Sequence, residues 1–531
     1  MRKNGSSRIA LGMALIMMLA CFSGVTVLAE EKPVTISWVS WACGDVEPDN
    51  VLELWLEEKL GIKIETKKID LSQSDLVNLM INSGEFPDAG WLFKSSNYMN
   101  ETGYIRSITE EQIRTYAPGW AGLYDAEPIG WNMDKDADGN YLCLQSRSVL
   151  GPGKVTHVVA YRYDWLQKLG IEPNGEVTHL SDNIYMGTTP FTKSQFLEIM
   201  EGFTHGDPDG DGVDNTYGIA AHNGGGSLLY YGLGAFNIFG VNLSGSMDVD
   251  GVAEYYYVTP QYKEMLGFVA DLYASGYMDP AFVTTSRNES FEKIANGEFG
   301  YQENAFSTVG NGTVTSFDNM VPDNAPVLYL PLEVNDDGTG GCAPYSNNSF
   351  GSPKLFINRS VDDDKLARIL EFVNYCNFDD EARITLQYGF EGETFQYQPN
   401  GVPKLLEGVN RGGSFGIWCY NSNYICEDRY AESVYGTNAW TTIQMMSKEA
   451  AAIQKLPYRI DFTESTRLAE LDTLYGSNIK TIVDEFAVNA MCGNVNLDSD
   501  WDAYIDDLNS AGYAEIHDEL QKADLYSDLA G

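Results

Sequence analysis

Positive charge is scarce in this chain. Its 531 residues hold 34 Lys and Arg against 76 Asp and Glu, a formal net charge of −42. Such a field repels a phosphate backbone, so no nucleic-acid partner is expected. The acids are spread along the chain and not run together in blocks, as on a solubilising surface. Histidine is rarer still, at 5 residues. His157, His179, His205, His222 and His517 show no HExxH or other metal-ligand spacing, which argues against catalytic zinc. No Ser-His-Asp arrangement is identifiable. The glycine-rich "NGGGSLLYYGLGAFNIFG" lacks the Lys-Ser/Thr of a phosphate-binding loop and reads as irregular loop.

Long apolar runs are missing too, except at the N-terminus. Arg2, Lys3 and Arg8 precede "IALGMALIMMLACF", which is too short to span a membrane as a mature helix and reads as an export signal. Cleavage after Ala29, at Val27-x-Ala29, is preferred over lipid attachment at Cys21 in "MLAC". Met18 and Leu19 fit a lipoprotein box imperfectly, and the segment after Cys21 is apolar where lipoproteins carry a Gly/Ser-rich tether. Either route places the working protein outside the cytoplasm, as an extracellular, cell-surface or periplasmic chain. After cleavage at Ala29 the cysteines are Cys43, Cys143, Cys342, Cys376, Cys419, Cys426 and Cys492. The odd number excludes a complete disulfide framework, and no CxxC pair suggests zinc or redox work. Cys419 and Cys426 are close enough to pair around a short loop, and most of the others read as buried thiols.

What is present is a long, aromatic-rich, folded chain. Its length exceeds one ordinary core, so two or more domains are expected. Aromatics make up 12%, with 32 Tyr and 10 Trp, a supply of flat faces for stacking. "KPVTISWVSW" (32–41) reads as a first strand, "NVLELWLEEKLG" as a helix stopped by Gly61, and "IKIETKKI" as a second strand. "DLVNLMINSG" then reads as helix and "PDAGWLF" as strand. This β-α-β-α-β order predicts an α/β fold with a parallel sheet, whose ligands sit beyond the carboxyl ends of its strands. Later, "VVAYRYDWLQKLGI" is a strand running into a helix. "TKSQFLEIMEGF", "QYKEMLGFVADLYASG" and "DDKLARILEFVNYC" are helices, and "DWDAYIDDLNSAGYAEIHDELQKA" is two helices broken at Gly512. No short repeat or low-complexity linker separates domains, so they are expected to interleave.

An ordered set of segments carries a resemblance. "VTISWVSW", "EEKLGIKIE", "INSGEFPDAGW", "YRYDWLQKLGIEP", "GDPDGDGVDNTYGI", "LYASGYMDPAF", "ANGEFGY", "LEFVNYCNFDDEARITLQYGFEGETF" and "LDSDWDAYIDDLNSAGY" follow one another over nearly all of residues 32–530. In number, order and spacing they resemble the large extracellular solute-binding proteins (family 1) of carbohydrate ABC importers. The resemblance implies a two-lobed, periplasmic-binding-protein-like fold of type II, with two or three hinge strands and a cleft that closes on ligand. The N-lobe is expected over approximately 32–150 plus a later return segment. The C-lobe is expected over approximately 155–345 and parts of 400–531. It further implies a monomer that delivers solute to an ABC permease without chemical turnover.

Within "DPDGDGVDNTYG" (207–218), Asp207, Asp209 and Asp211 alternate, and Gly212 allows the sharp turn after them. Alternate oxygens on a tight loop converge, which suits calcium; the carbonyl of Val213 and the side chain of Asn215 would complete the set. Gly218 occupies the twelfth position, where an EF-hand needs a bidentate Glu. Similar loops in the family hold a structural calcium, usually with an acid at the ninth position; Asp214 is a possible substitute for Asn215. "DKDADGNY" (134–141) repeats the alternation at Asp134, Asp136 and Asp138, and reads as a plain turn. For sugar contact the candidate stackers are Trp41, Trp91, Trp418 and Trp440, with Asp45, Glu303, Asn304 and Arg411 as polar partners. Trp55, Trp165 and Trp501 read as core. Glu391 and Glu393 in "GFEGETF" keep a second reading open, a secreted calcium-dependent glycan hydrolase, although alternate residues of an extended stretch face opposite ways. A third reading is a ligand-binding input to a membrane sensor, which shares the fold.

Overall fold

The structure, a computed structural model, describes residues 33–40, 47–69, 74–147, 157–222, 235–241, 246–305, 308–310, 316–340, 350–399, 401–409, 432, 436–450, 459–460 and 466–523. The signal segment, Trp41–Asp45, Arg411, Trp418 and the cysteines at 43, 342, 419 and 426 lie outside them. Among the described residues Cys143 and Cys376 are buried and Cys492 is half-buried.

The chain opens as its pattern predicts. Strand β1 (Val34–Val39) pairs in parallel with β2 (Ile62–Thr66) and β3 (Ala89–Leu92). Helix Val51–Leu60 between β1 and β2 starts at Asn50, whose side chain accepts the N–H groups of Leu52 and Glu53, and ends at Gly61 in the left-handed region, φ 62°. Helix Ser74–Asn82 leads into β3. The sheet is completed by β4 (Leu144–Arg147) and by a strand from far along the chain, Phe350–Ile357, which runs antiparallel between β3 and β4.

The two faces of this first sheet bury different sets. Trp38 and Trp91 point into a core with Leu52, Leu56, Trp120 and Leu370. Val39 and Leu92 point the other way, onto Val77, Met80 and Met99. Helices therefore cover both faces, as a parallel sheet requires.

The second sheet uses β5 (His157–Arg162), β6 (Val177–Ser181), β7 (Ile184–Gly187), β8 (Tyr217–Ile219), β11 (Phe299–Ala305) and β12 (Val327–Leu330) in the order β6-β7-β12-β5-β11-β8. Between β8 and β11 the chain forms a separate hairpin, β9 (Ser246–Val249) and β10 (Val252–Tyr255). Val159, Tyr161 and Tyr301 face helices Lys193–His205 and Pro260–Ala274. Val158, Ala160 and Phe299 face Ala439, Trp440 and Ile443 on helix Thr437–Ala450. The return strand Phe350–Ile357 is β13.

The chain passes from the first sheet to the second after Arg147, back before Phe350, and over again after residue 409. All three crossings fall outside the described residues. The result is two α/β lobes, each built from non-contiguous segments. No helix among the described residues is long and apolar enough to cross a membrane.

Candidate functional site

Topology identifies which strand ends face each other. The chain leaves the first sheet at the carboxyl end of β4 and enters the second at the start of β5. On the first lobe the facing edge is therefore the carboxyl ends of β1, β3 and β4 with the start of β13. On the second it is His157, the end of β11 (Ala305 pairs with His157) and the end of β12 (Leu330 pairs with Val159). This is the position where open α/β sheets hold ligands.

On the first lobe Ser40 is fully buried at the end of β1. Beyond β3, Phe93 is 46% exposed, and Lys94 donates to the Asn78 side chain at 2.7 Å. Burial lowers the Lys94 pKa. Helix Ser96–Glu101 follows and packs against helix Thr466–Met491 of the second lobe. On the second lobe Glu303 is buried on β11 opposite Val159, and Asn304 follows opposite Val158. His157 is pushed down to about 4 by burial. Just past β12, Glu333 is fully buried and accepts the hydroxyls of Tyr161 and Tyr301. Burial lifts its carboxyl to about 7 against the pull of those two bonds.

Two of the expected stackers are core residues. Trp91 is fully buried inside β3, stacked on Trp120 at 6.0 Å between ring centroids. Every residue of that short strand is buried, so its ring fills the lobe instead of lining a cleft. Trp440 sits on helix Thr437–Ala450 against the second sheet, which leaves little of its ring for a ligand. Trp165 is buried as expected, against Phe203. Glu391 and Glu393 are both exposed on a turn between helix Asp380–Tyr388 and the strand Phe395–Tyr397. The sequence reading missed Asp134: read as part of a surface turn, it is a buried carboxylate held by Lys354 at 2.8 Å and Gln145 at 2.6 Å.

The loop 207–215 lies between helix Lys193–His205 and the start of β8, the opposite end of that strand from the facing edge. Carboxylate oxygens of Asp207, Asp209 and Asp211 all lie within 4.8 Å of one another, and all three residues are exposed. Positive φ at Asp207, Gly210 and Gly212 curls the backbone around them. The N–H of Val213 donates to Asp211 Oδ1 at 2.7 Å, and the amide of Asn215 reaches Asp211 Oδ2 at 3.2 Å. Asp214 instead lies 3.8 Å from His205 Nδ1. Lys168 closes the loop's edge, donating to the carbonyls of Asp207 and Pro208. An all-oxygen donor set on a tightly curled loop fits a hard cation of calcium's kind.

Comparison with known proteins places this geometry. Over 512 residues the chain is 22% identical to the polygalacturonan/rhamnogalacturonan-binding protein YtcQ of Bacillus subtilis, covering 93% of this chain and 92% of that one. The fructooligosaccharide ABC transporter substrate-binding protein FusA of Streptococcus pneumoniae is 26% identical over 322 residues, 58% of this chain and 55% of that one. The solved structure of FusA with kestose superimposes with a TM-score of 0.70 at 18% identity, over 92% of this chain and 98% of that one. The chain has the fold of the carbohydrate ABC-transporter solute-binding proteins. An EF-hand mutant of FusA with fructo-nystose superimposes equally well, TM-score 0.70. These relatives are named as binding proteins, not as enzymes. No protein-family profile matches the chain.

Proposed function

We propose that this protein is an extracellular carbohydrate-binding protein. It captures an oligosaccharide between its lobes and hands it to an ABC importer permease, the closed shape being what the permease recognises. The observation that carries the reading is the near-full-length, two-lobed likeness to proteins named for binding polygalacturonan and fructooligosaccharide. Glu303 and Asn304 at the facing edge are the described candidates for sugar hydroxyls. Trp41, Asp45, Arg411 and Trp418 complete the proposed contacts. The protein acts as a monomer, released after cleavage at Ala29 or anchored through a lipid at Cys21.

A panel containing galacturonan oligosaccharides, kestose, fructo-nystose and human-milk oligosaccharides tests it. Binding predicts that at least one raises the melting temperature with no product released. Release of reducing ends from any of them overturns the reading in favour of the hydrolase.

We further infer that Asp207, Asp209, Asp211, the Val213 carbonyl and Asn215 hold a structural calcium ion. A ligand bound only by the folded state raises stability by mass action. Chelation is therefore expected to lower the melting temperature, and calcium in excess to restore it. An unchanged melting curve in EDTA rejects the site.

A further inference from the structure

Helix Ser96–Glu101 is a first-lobe element that meets the second lobe, and a buried ion pair holds its beginning. Asp134 stands at positive φ, 55°, with its own carbonyl accepting the N–H of Leu142 at 2.8 Å. Its side chain is only 9% exposed. Lys354 donates to Oδ1 at 2.8 Å, and the Ser96 hydroxyl donates to the same oxygen. Gln145 Nε2 donates to Oδ2 at 2.6 Å, with the Cys143 thiol at 3.5 Å. One carboxylate thus gathers the turn before β4, β4 itself, β13 and the helix. Lys354 stands where the β13–β4 register shifts, opposite Leu92 at the carboxyl end of β3. Burial by itself would raise the Asp134 carboxyl, but the Lys354 ammonium and the hydrogen bonds bring it below the usual carboxylate range.

Stability alone is a poor account of this arrangement. Apolar residues of similar volume often match or exceed a buried ion pair in stability, because taking two charges out of water is costly. What the pair adds is directionality: Ser96 is held at one fixed place relative to the strand ends. We propose that Asp134 and Lys354 are positioning residues for ligand capture, setting where helix Ser96–Glu101 meets helix Thr466–Met491 and so the geometry in which the lobes close. This rests on the lobe-closure reading above.

The test uses the full exported chain without sugar, so it stands or falls apart from the oligosaccharide panel. Amide exchange and small-angle scattering are followed in Asp134→Asn, Lys354→Met, Lys354→Arg and the double variant Asp134→Leu/Lys354→Met. Each single disruption is expected to speed exchange in 96–101 by roughly tenfold relative to β1–β3, and to increase the radius of gyration. Lys354→Arg, which keeps the charge, should stay near the wild type. The double variant should recover part of the lost melting temperature, since leucine fits the positive φ at 134 less well than aspartate, but not the slow exchange of the helix. The proposal is overturned if acceleration spreads evenly over the first lobe, or if exchange and scattering do not change. It also fails if the apolar double variant recovers helix protection, since packing alone would then suffice.

Discussion

Glu333 is a carboxylic acid enclosed by two phenols, with no cation among the described groups that act on it. Its pKa of about 7 in the fold, against 4.5 outside it, means that the folded state holds its proton more tightly. The stability this contributes is present below about pH 4.5 and lost as pH rises through 7. His157 works in the opposite sense. Half-buried at the start of β5, its pKa is about 4 in place of 6.5, so its contribution is present above 6.5 and lost as pH falls through 4. Between pH 4.5 and 6.5 the two slopes oppose each other. Glu333→Gln removes one of them. Its melting temperature should exceed the wild type's by a few degrees at pH 8 and approach it near pH 4, in thermal scans at constant ionic strength. A variant that is uniformly destabilised across this range would mean the carboxylate is held ionised.

Strand β3 shows at the level of an element what close packing demands. Gly90 lies opposite Val39 of β1, and a Cβ there would fall 2.4 Å from Val39 Cγ1 and 2.5 Å from the Val39 carbonyl oxygen. Backbone cannot yield as a side chain can, so the strands must part. Gly90→Ala is expected to cost about 1–3 kcal/mol, read as a lower denaturant midpoint at unchanged slope. The β-α-β-α-β opening was legible because each of its parts is local: the Asn50 cap, the Gly61 stop, the change of period between helix and strand. Helix Lys193–His205 was legible for the same reason, with Thr192 and Gln195 forming a capping box. The insertion of β13 between β3 and β4 was not, because its partners lie more than 200 residues away and alternation does not name a partner. Asp134 was misread for that reason: its neighbours in sequence spell a turn, and the residue that buries it is Lys354. Trp91 was misplaced by one step of the same kind, since a tryptophan ending a strand and one lining a cleft look alike until the opposing layer, here Trp120, is known.

For the whole molecule, the excess of acid bears on how the lobes meet. Helix Ser96–Glu101 brings Glu101 of the first lobe into the field of Glu470 of the second. Burial, and then the Glu470 charge, raise the Glu101 pKa. Glu470 is itself tied to Arg467 at 2.6 Å, and Arg467 also reaches Glu515 at 3.7 Å, so that cation is already shared. Under the proposed lobe closure, a protein carrying −42 meets like charge at a point of contact, which favours opening when no ligand holds the lobes together. Glu101→Gln removes the repulsion without changing the side chain's size. The closed-to-open ratio of the sugar-free protein should rise about twofold, the scale of one exposed charge pair, and the radius of gyration should fall. Raising the salt should produce a similar change in the wild type and little in the variant, because screening acts on the same interaction. Equal scattering from the two proteins at low salt would place the resistance to closure away from this contact.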